Sequence, residues 1–232
     1  MRRFQITAAL MAVGLLAIGS IAFASAQFTQ SANITLTATK AGKSTGFKAN
    51  LQSSDPGAPN AQPQGLKTLT ITFPKKTKFN FKSNAIAQCK AGETEIKATG
   101  GAVCPSKSKI GTGTANANGA PVIPSIPERA TAYAGKNEII FLLAPTGPAG
   151  SVLVLFGKVS GNRVTTGVPA ITLGPVNVVI TALQLTINKI GGGKQAFVTA
   201  GNCTSGKFKV KSEFLYQTGA QLTLSSSSKC SK

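Results

Sequence analysis

Apolar and polar residues alternate with a period of two along most of the chain, and no stretch holds a helical period for long. From Asn33 to Ala38, Ile34, Leu36 and Ala38 share one face and Asn33, Thr35 and Thr37 the other. Phe47, Ala49 and Leu51 alternate likewise. Leu69, Ile71 and Phe73 are separated by threonines until Pro74 ends the run. The stretch 207–214 is the clearest case: Phe208, Val210 and Phe214 are predicted to face inward, with Lys207, Lys209, Lys211 and Glu213 outward.

Further strands are predicted over 110–116, 129–134, 137–143, 183–187 and 196–199, with a last one over 221–224 before a serine run. Gly111 and Gly113 thin one face of the first of these. Turns fall at Gly135, Thr146-Gly147-Pro148, Gly161-Asn162 and Gly191-Gly192-Gly193-Lys194. The stretch 53–64 is a loop by its Pro, Gly, Asn and Ser content. Val152 to Phe156 is apolar on both faces, as expected of a strand packed on both sides, covered by a loop, or buried by a partner. Pro121, Pro124 and Pro127 predict a turn or edge segment.

Ten to twelve strands with regular turns predict an all-β, antiparallel β-sandwich, immunoglobulin-like or related, with a β-barrel as the alternative. Residues 27–232 are read as a single sandwich domain, with a subdivision near 121–127 as a variant of that reading.

The first 26 residues read as a signal peptide. Arg2 and Arg3 precede an uncharged apolar run from Thr7 to Phe23, and Ala24-Ser25-Ala26 carries small residues where a signal peptidase cuts. A secreted protein, extracellular or held at the cell envelope, is therefore expected, with no transmembrane segment after cleavage. Four cysteines in an exported chain imply two disulfides. The neighbouring pairs Cys89–Cys104 and Cys203–Cys230 are the favoured connectivity of three. With no His and no CxxC, neither a metal nor a cofactor is implied.

Without Arg2 and Arg3 the chain keeps 23 basic against 6 acidic residues, a net charge of about +17. Such a field draws anionic cell-wall polymers or lipid headgroups. Almost all of it is lysine, which favours diffuse attraction over specific phosphate reading, so no specific nucleic acid is expected. Lys75, Lys76, Lys78, Lys207, Lys209 and Lys211 are the candidate polyanion-binding residues. Phe73, Phe79 and Phe81 interleave with the first three, and in an alternating strand such rings face the core.

Catalytic chemistry is thinly supplied, because the commonest general base is missing. Two constellations keep a hydrolase as the alternative. Glu93 and Glu95 would share a strand face in a spacing open to glycoside hydrolysis. Ser106 and Lys109 match S-x-x-K, without the accompanying elements that would support it. The main expectation is a non-catalytic binding or surface interaction module.

The stretch 78–117 carries a pattern: Phe79-Asn80-Phe81, then Cys89, then Cys104-Pro105-x-x-Ser108-x-Ile110-Gly111-Thr112-Gly113. It resembles a group of uncharacterised exported proteins of high-GC Gram-positive bacteria. The resemblance implies an all-β, export-dependent protein and no enzyme activity, and it transfers no functional residues. The stretch itself is expected to be an excursion between strands, stapled at its base by Cys89–Cys104.

Overall fold

The computed structural model describes residues 28–231; the expected signal peptide lies outside the described residues. Among the described residues, fifteen strands and one short helix follow in order: β1 (Thr29–Leu36), β2 (Ser44–Thr45), β3 (Phe47–Ser54), β4 (Leu66–Thr72), β5 (Lys78–Phe79), α1 (Glu93–Thr99), β6 (Lys109–Gly119), β7 (Ile123–Ala134), β8 (Glu138–Pro145), β9 (Leu153–Ser160), β10 (Arg163–Gly167), β11 (Ile171–Leu173), β12 (Val176–Ile187), β13 (Val198–Thr199), β14 (Lys207–Tyr216) and β15 (Gln221–Lys229).

The expected all-β, antiparallel architecture is present. Twelve strands form one sheet in the order β1-β3-β12-β6-β7-β8-β9-β10-β4-β14-β15, with β11 beside β12. The sheet rolls until its two ends meet, as in the barrel alternative. Eleven strands of alternating direction leave the first and last pointing the same way, so the seam is parallel. A parallel bridge joins Lys40 to Ser231, and Ser231 N–H donates to the Thr39 carbonyl at 2.7 Å. Higher up, β1 and β15 are tied through a side chain. Ser226 Oγ accepts from Ile34 N–H at 3.0 Å and donates to the Ile34 carbonyl at 2.7 Å. The serine run is therefore part of the last strand, which continues to Lys229 and does not stop at Leu224.

Inward rows of apolar side chains fill the rolled sheet. Ile34, Phe47, Ala49, Leu69, Val164, Leu185, Phe208 and Phe214 belong to one buried cluster, and Phe47 meets Phe73 across it with ring centroids 5.0 Å apart. Outward rows are polar, as Lys207, Lys209 and Lys211 of β14 are, all exposed as expected. On β6 the inward positions are small, Gly111, Gly113, Ala115 and Ala117, and there the wall bends tightly against β12. A Cβ on Gly113 would overlap the Gln184 carbonyl oxygen and come within 2.8 Å of the Leu185 Cα.

The three-proline segment runs into a continuous strand. Residues Ile123 to Pro127 pair with β6 alone, and β8 joins from Glu128 onward, so Pro124 and Pro127 sit on a local edge as expected. Strands on both sides of this segment share the one sheet: β4 pairs with β10 and β14.

Both disulfides join the favoured partners, Cys89–Cys104 across 15 residues and Cys203–Cys230 across 27. The first staples the segment between β5 and β6 onto the outside of the sheet. There Cys89, Ile96 and Cys104 pack on Tyr133, Ile140, Leu142 and Val154, with Val152 and Phe156 at the margin. This covering explains the strand that is apolar on both faces: a loop of the same chain buries its outer side, and no partner is required.

The two ends of the barrel differ. One carries Leu36, Phe47 and Ile187 and is crossed by a small sheet in the order β2-β13-β5. Beneath it Phe73, Phe79, Phe197 and Phe81 stack edge to face, with centroids 5.3 to 6.3 Å apart. We call this the plugged end. The opposite end, at Thr29, Ser54, Leu66 and Tyr216, is covered by the loop of residues 55–65. We call this the loop end. Among the described residues no helix is long and apolar enough to cross a membrane.

Candidate functional site

The plugged end gathers lysines from segments far apart in sequence. β5 pairs with β13, and Asn202 N–H donates to the Lys75 carbonyl at 2.7 Å, which docks the turn of Lys75 and Lys76 against the chain leading to Cys203. From there Thr204 bridges to Lys207, which faces Lys229 across the β14–β15 pair. Lys40 is bridged to Ser231, and the Lys43 carbonyl accepts from Ala200 N–H at 2.8 Å.

Between these segments lies an open cleft of about 610 Å³. Lys76, Lys78 and Lys194 line it together with Asn80, Thr199 and Asn202, and among the described residues no Asp or Glu lines it. The floor is the small sheet, with Phe79 its one phenylalanine in the lining. Asn80 fixes the third lysine's loop: its backbone N–H donates to the Phe197 carbonyl at 2.7 Å and its side-chain amide to the Lys194 carbonyl at 3.1 Å. Three exposed lysines from two segments tied together by Asn80 thus border one concavity.

The six lysines singled out in the sequence do not form one site. Lys76 and Lys78 line the cleft, Lys75 stands on the adjoining turn, and Lys207 lies just beyond Cys203. Lys209 and Lys211 point outward along the middle of β14, and the Lys211 ammonium is engaged by Glu213 at 2.8 Å. Lys194 was missed because the run Gly191-Gly192-Gly193-Lys194 reads as a flexible turn. Of the phenylalanines among these lysines, Phe73 and Phe81 are buried in the plug as expected, while Phe79 is half-buried and lines the cleft.

The residues of the hydrolase alternative are dispersed over the stapled segment. Glu93 and Glu95 lie on α1, not on a strand, so they do not share the expected face. Residues two apart on a helix point to different sides, and Glu93 pairs with Lys97 one turn on, at 2.5 Å. Ser106 and Lys109 are exposed at either side of a single helical turn. None of the four lines the lysine cleft or the barrel interior. Among the described residues there is no cluster of Cys, Asp or Glu suited to a metal ion.

One acid is unusual. Glu128 lies on the inward face of β7, 7% exposed, between Ala115 of β6 and Pro145 of β8, and its Oε2 has no hydrogen-bond partner. Burial pushes its carboxyl up to about 7. The folded state thus keeps a proton that the unfolded chain releases near the usual carboxylate range. Stability from this group is full below that range, declines as pH rises, and levels off above about 7. Glu128→Gln is expected to remove a loss on the order of 2 kcal/mol between pH 4 and pH 8. Urea unfolding of both proteins at the two pH values checks this; equal slopes with pH would contradict it.

The barrel interior also holds a void. A cavity of about 100 Å³ runs from Phe47 and Phe73 toward Gln30 and Gln64 at the loop end. Leaving such a volume unfilled costs about 2 kcal/mol at roughly 24 cal/mol per Å³.

No protein-family model, curated protein or solved structure matches the chain.

Proposed function

We propose that the protein is a non-catalytic binding module of the cell exterior whose plugged end holds anionic polymers of the cell envelope. The observation that carries this reading is the cleft of about 610 Å³ lined by Lys76, Lys78 and Lys194, with no Asp or Glu lining it among the described residues. Three ammonium groups around one concavity attract a chain of repeating negative charges more strongly than the same lysines spread over a surface, because the cleft focuses their field. Asn80, Thr199 and Asn202 add uncharged hydrogen-bonding groups for the polymer's oxygens. The net positive charge of the whole chain would speed the encounter. The two disulfides support an oxidising compartment, where the envelope polymers are. Lipid headgroups share the anionic chemistry, but a cleft above a plugged barrel end suits a linear polymer better than a flat bilayer surface.

The test is retention on isolated cell wall. Wild-type protein is expected to bind at low salt and to be released as ionic strength rises toward 1 M, where the screening length is about 3 Å. Lys209→Ala with Lys211→Ala is expected to leave retention nearly unchanged, because those lysines lie away from the cleft. Retention that ignores salt would overturn the reading.

A further inference from the structure

We infer that the barrel interior is a second binding site, for the end of an apolar chain such as an alkyl group, entered from the loop end. The inference does not rest on the polyanion reading, since the two sites lie at opposite ends of the barrel.

Protein interiors are packed to crystal-like density, and the few voids they contain are rarely larger than a water molecule. The cavity of about 100 Å³ here is bounded by Leu69, Ile71, Val164, Leu183, Leu185 and Phe214. The polar side chains of its lining, such as Gln30, Gln64 and Tyr216, lie toward the loop end; deeper in, where the wall is apolar, ordered water would lack the two to four polar partners it needs. An engineered void of about 150 Å³ with the same kind of wall stays dry and takes up benzene or xenon. The chemistry that fits is therefore hydrocarbon.

A second concavity, of about 300 Å³, lies directly outside, at the loop end. Leu66, Val168 and Ile180 line both spaces and stand between them. The outer space is bordered by Pro63, Ile171 and Val178 and by the polar groups of Gln62, Asn177 and Gln217. An amphiphile fits this order, with its tail inside and its more polar portion in the vestibule. Taken together the spaces reach the lower range of ligand sites, ~300–1,000 Å³.

Two side-chain latches and one backbone bond, from Gln217 N–H to the Gly65 carbonyl at 2.8 Å, close the entrance. The Gln62 amide donates to the Asn118 carbonyl at 2.9 Å and the Asn177 carbonyl at 2.8 Å. Thr218 Oγ1 donates to Gln64 Oε1 at 2.8 Å. Residues 55–65 are otherwise exposed or half-exposed, with Pro63 their one buried residue. A segment with so few apolar contacts opens at far lower cost than the sheet beneath it. At the other end five phenylalanines block the way.

The test is fluorescence titration of the mature protein with cis-parinaric acid in high salt, which screens its carboxylate from the lysines, followed by displacement with the neutral alcohol 1-dodecanol. Saturable binding and full displacement are expected. Leu183→Trp, which fills the void, is expected to weaken binding at least tenfold. Lys76→Ala with Lys78→Ala and Lys194→Ala is expected to leave it unchanged, which separates this site from the cleft. Because Leu183→Trp could perturb folding, methyl NMR of the wild-type protein gives an independent reading. Dodecanol should shift the methyls of Leu69, Val164 and Leu183 and leave those of Ile96 and Val154, on the outside of the sheet, in place. Failure of dodecanol to displace the probe, or shifts confined to the outer methyls, would overturn the inference.

Discussion

Gly113→Val is expected to abolish folding. β6 pairs with β12 so closely that the Gly113 Cα has no room for a side chain. Any Cβ would overlap the Gln184 carbonyl oxygen. That atom belongs to the ladder, with Gln184 paired to Thr114 and Leu185 to Gly113, so it cannot rotate away as a flexible side chain would. Relief requires separating the two strands and opening the inner wall. The expected loss exceeds about 4 kcal/mol, a large part of a typical stability of 5–15 kcal/mol. Gly119→Ala, on the same strand, is the control. Its Cβ would meet its nearest neighbour, Val178 Cγ2, at 3.4 Å, an ordinary contact. Circular dichroism and urea unfolding of the two variants measure the difference. A folded Gly113→Val protein of near-native stability would contradict the described β6–β12 packing.

The second large effect is expected from Cys89→Ser with Cys104→Ser. Opening a loop of 15 residues releases about 3 kcal/mol of chain entropy in the unfolded state. The structural consequence is more specific than the loss of stability. The staple holds Ile96 and its own two half-cystines over Tyr133, Ile140, Leu142 and Val154. Once the base of the segment is free, that outer apolar face is less protected, and an environment-sensitive dye such as ANS should bind it below the unfolding transition. Unchanged stability together with no added dye binding would show that the segment is held by other contacts.

The strands were legible because their alternation is local. Lys207, Phe208, Lys209 and Val210 declare their two faces within four residues, and the pairing of cysteines followed from loop length. The double apolar face of Val152 to Phe156 also declared that something covers it, though not what. The route of the sheet was not legible in the same way. Closure depends on four pairings between strands distant in sequence, β3 with β12, β12 with β6, β10 with β4 and β4 with β14, and on Ser226, one serine in a run of four, facing Ile34 from 192 residues away. The helix α1 escaped because seven residues with one buried position, Ile96, carry no period. That error placed Glu93 and Glu95 on a common face. The cleft was half legible: Lys76 and Lys78 stood out as a basic cluster, while Lys194 joins them only through the pairing of β5 with β13. The interior void left no mark in the sequence at all, since a cavity is set by how opposite walls meet.

The salt dependence of binding to a defined polyanion tests the central claim most directly. The logarithm of the protein's affinity for long-chain polyphosphate should fall linearly with the logarithm of salt concentration, because each lysine engaged releases condensed counterions. Lys76→Ala with Lys78→Ala and Lys194→Ala should lower the magnitude of that slope by about two to three, at roughly 0.7–0.9 per contact, while Lys209→Ala with Lys211→Ala changes it little. Equal slopes for the wild-type protein and the triple variant would show that the cleft does not hold the polymer, and would leave only the diffuse charge of the whole surface.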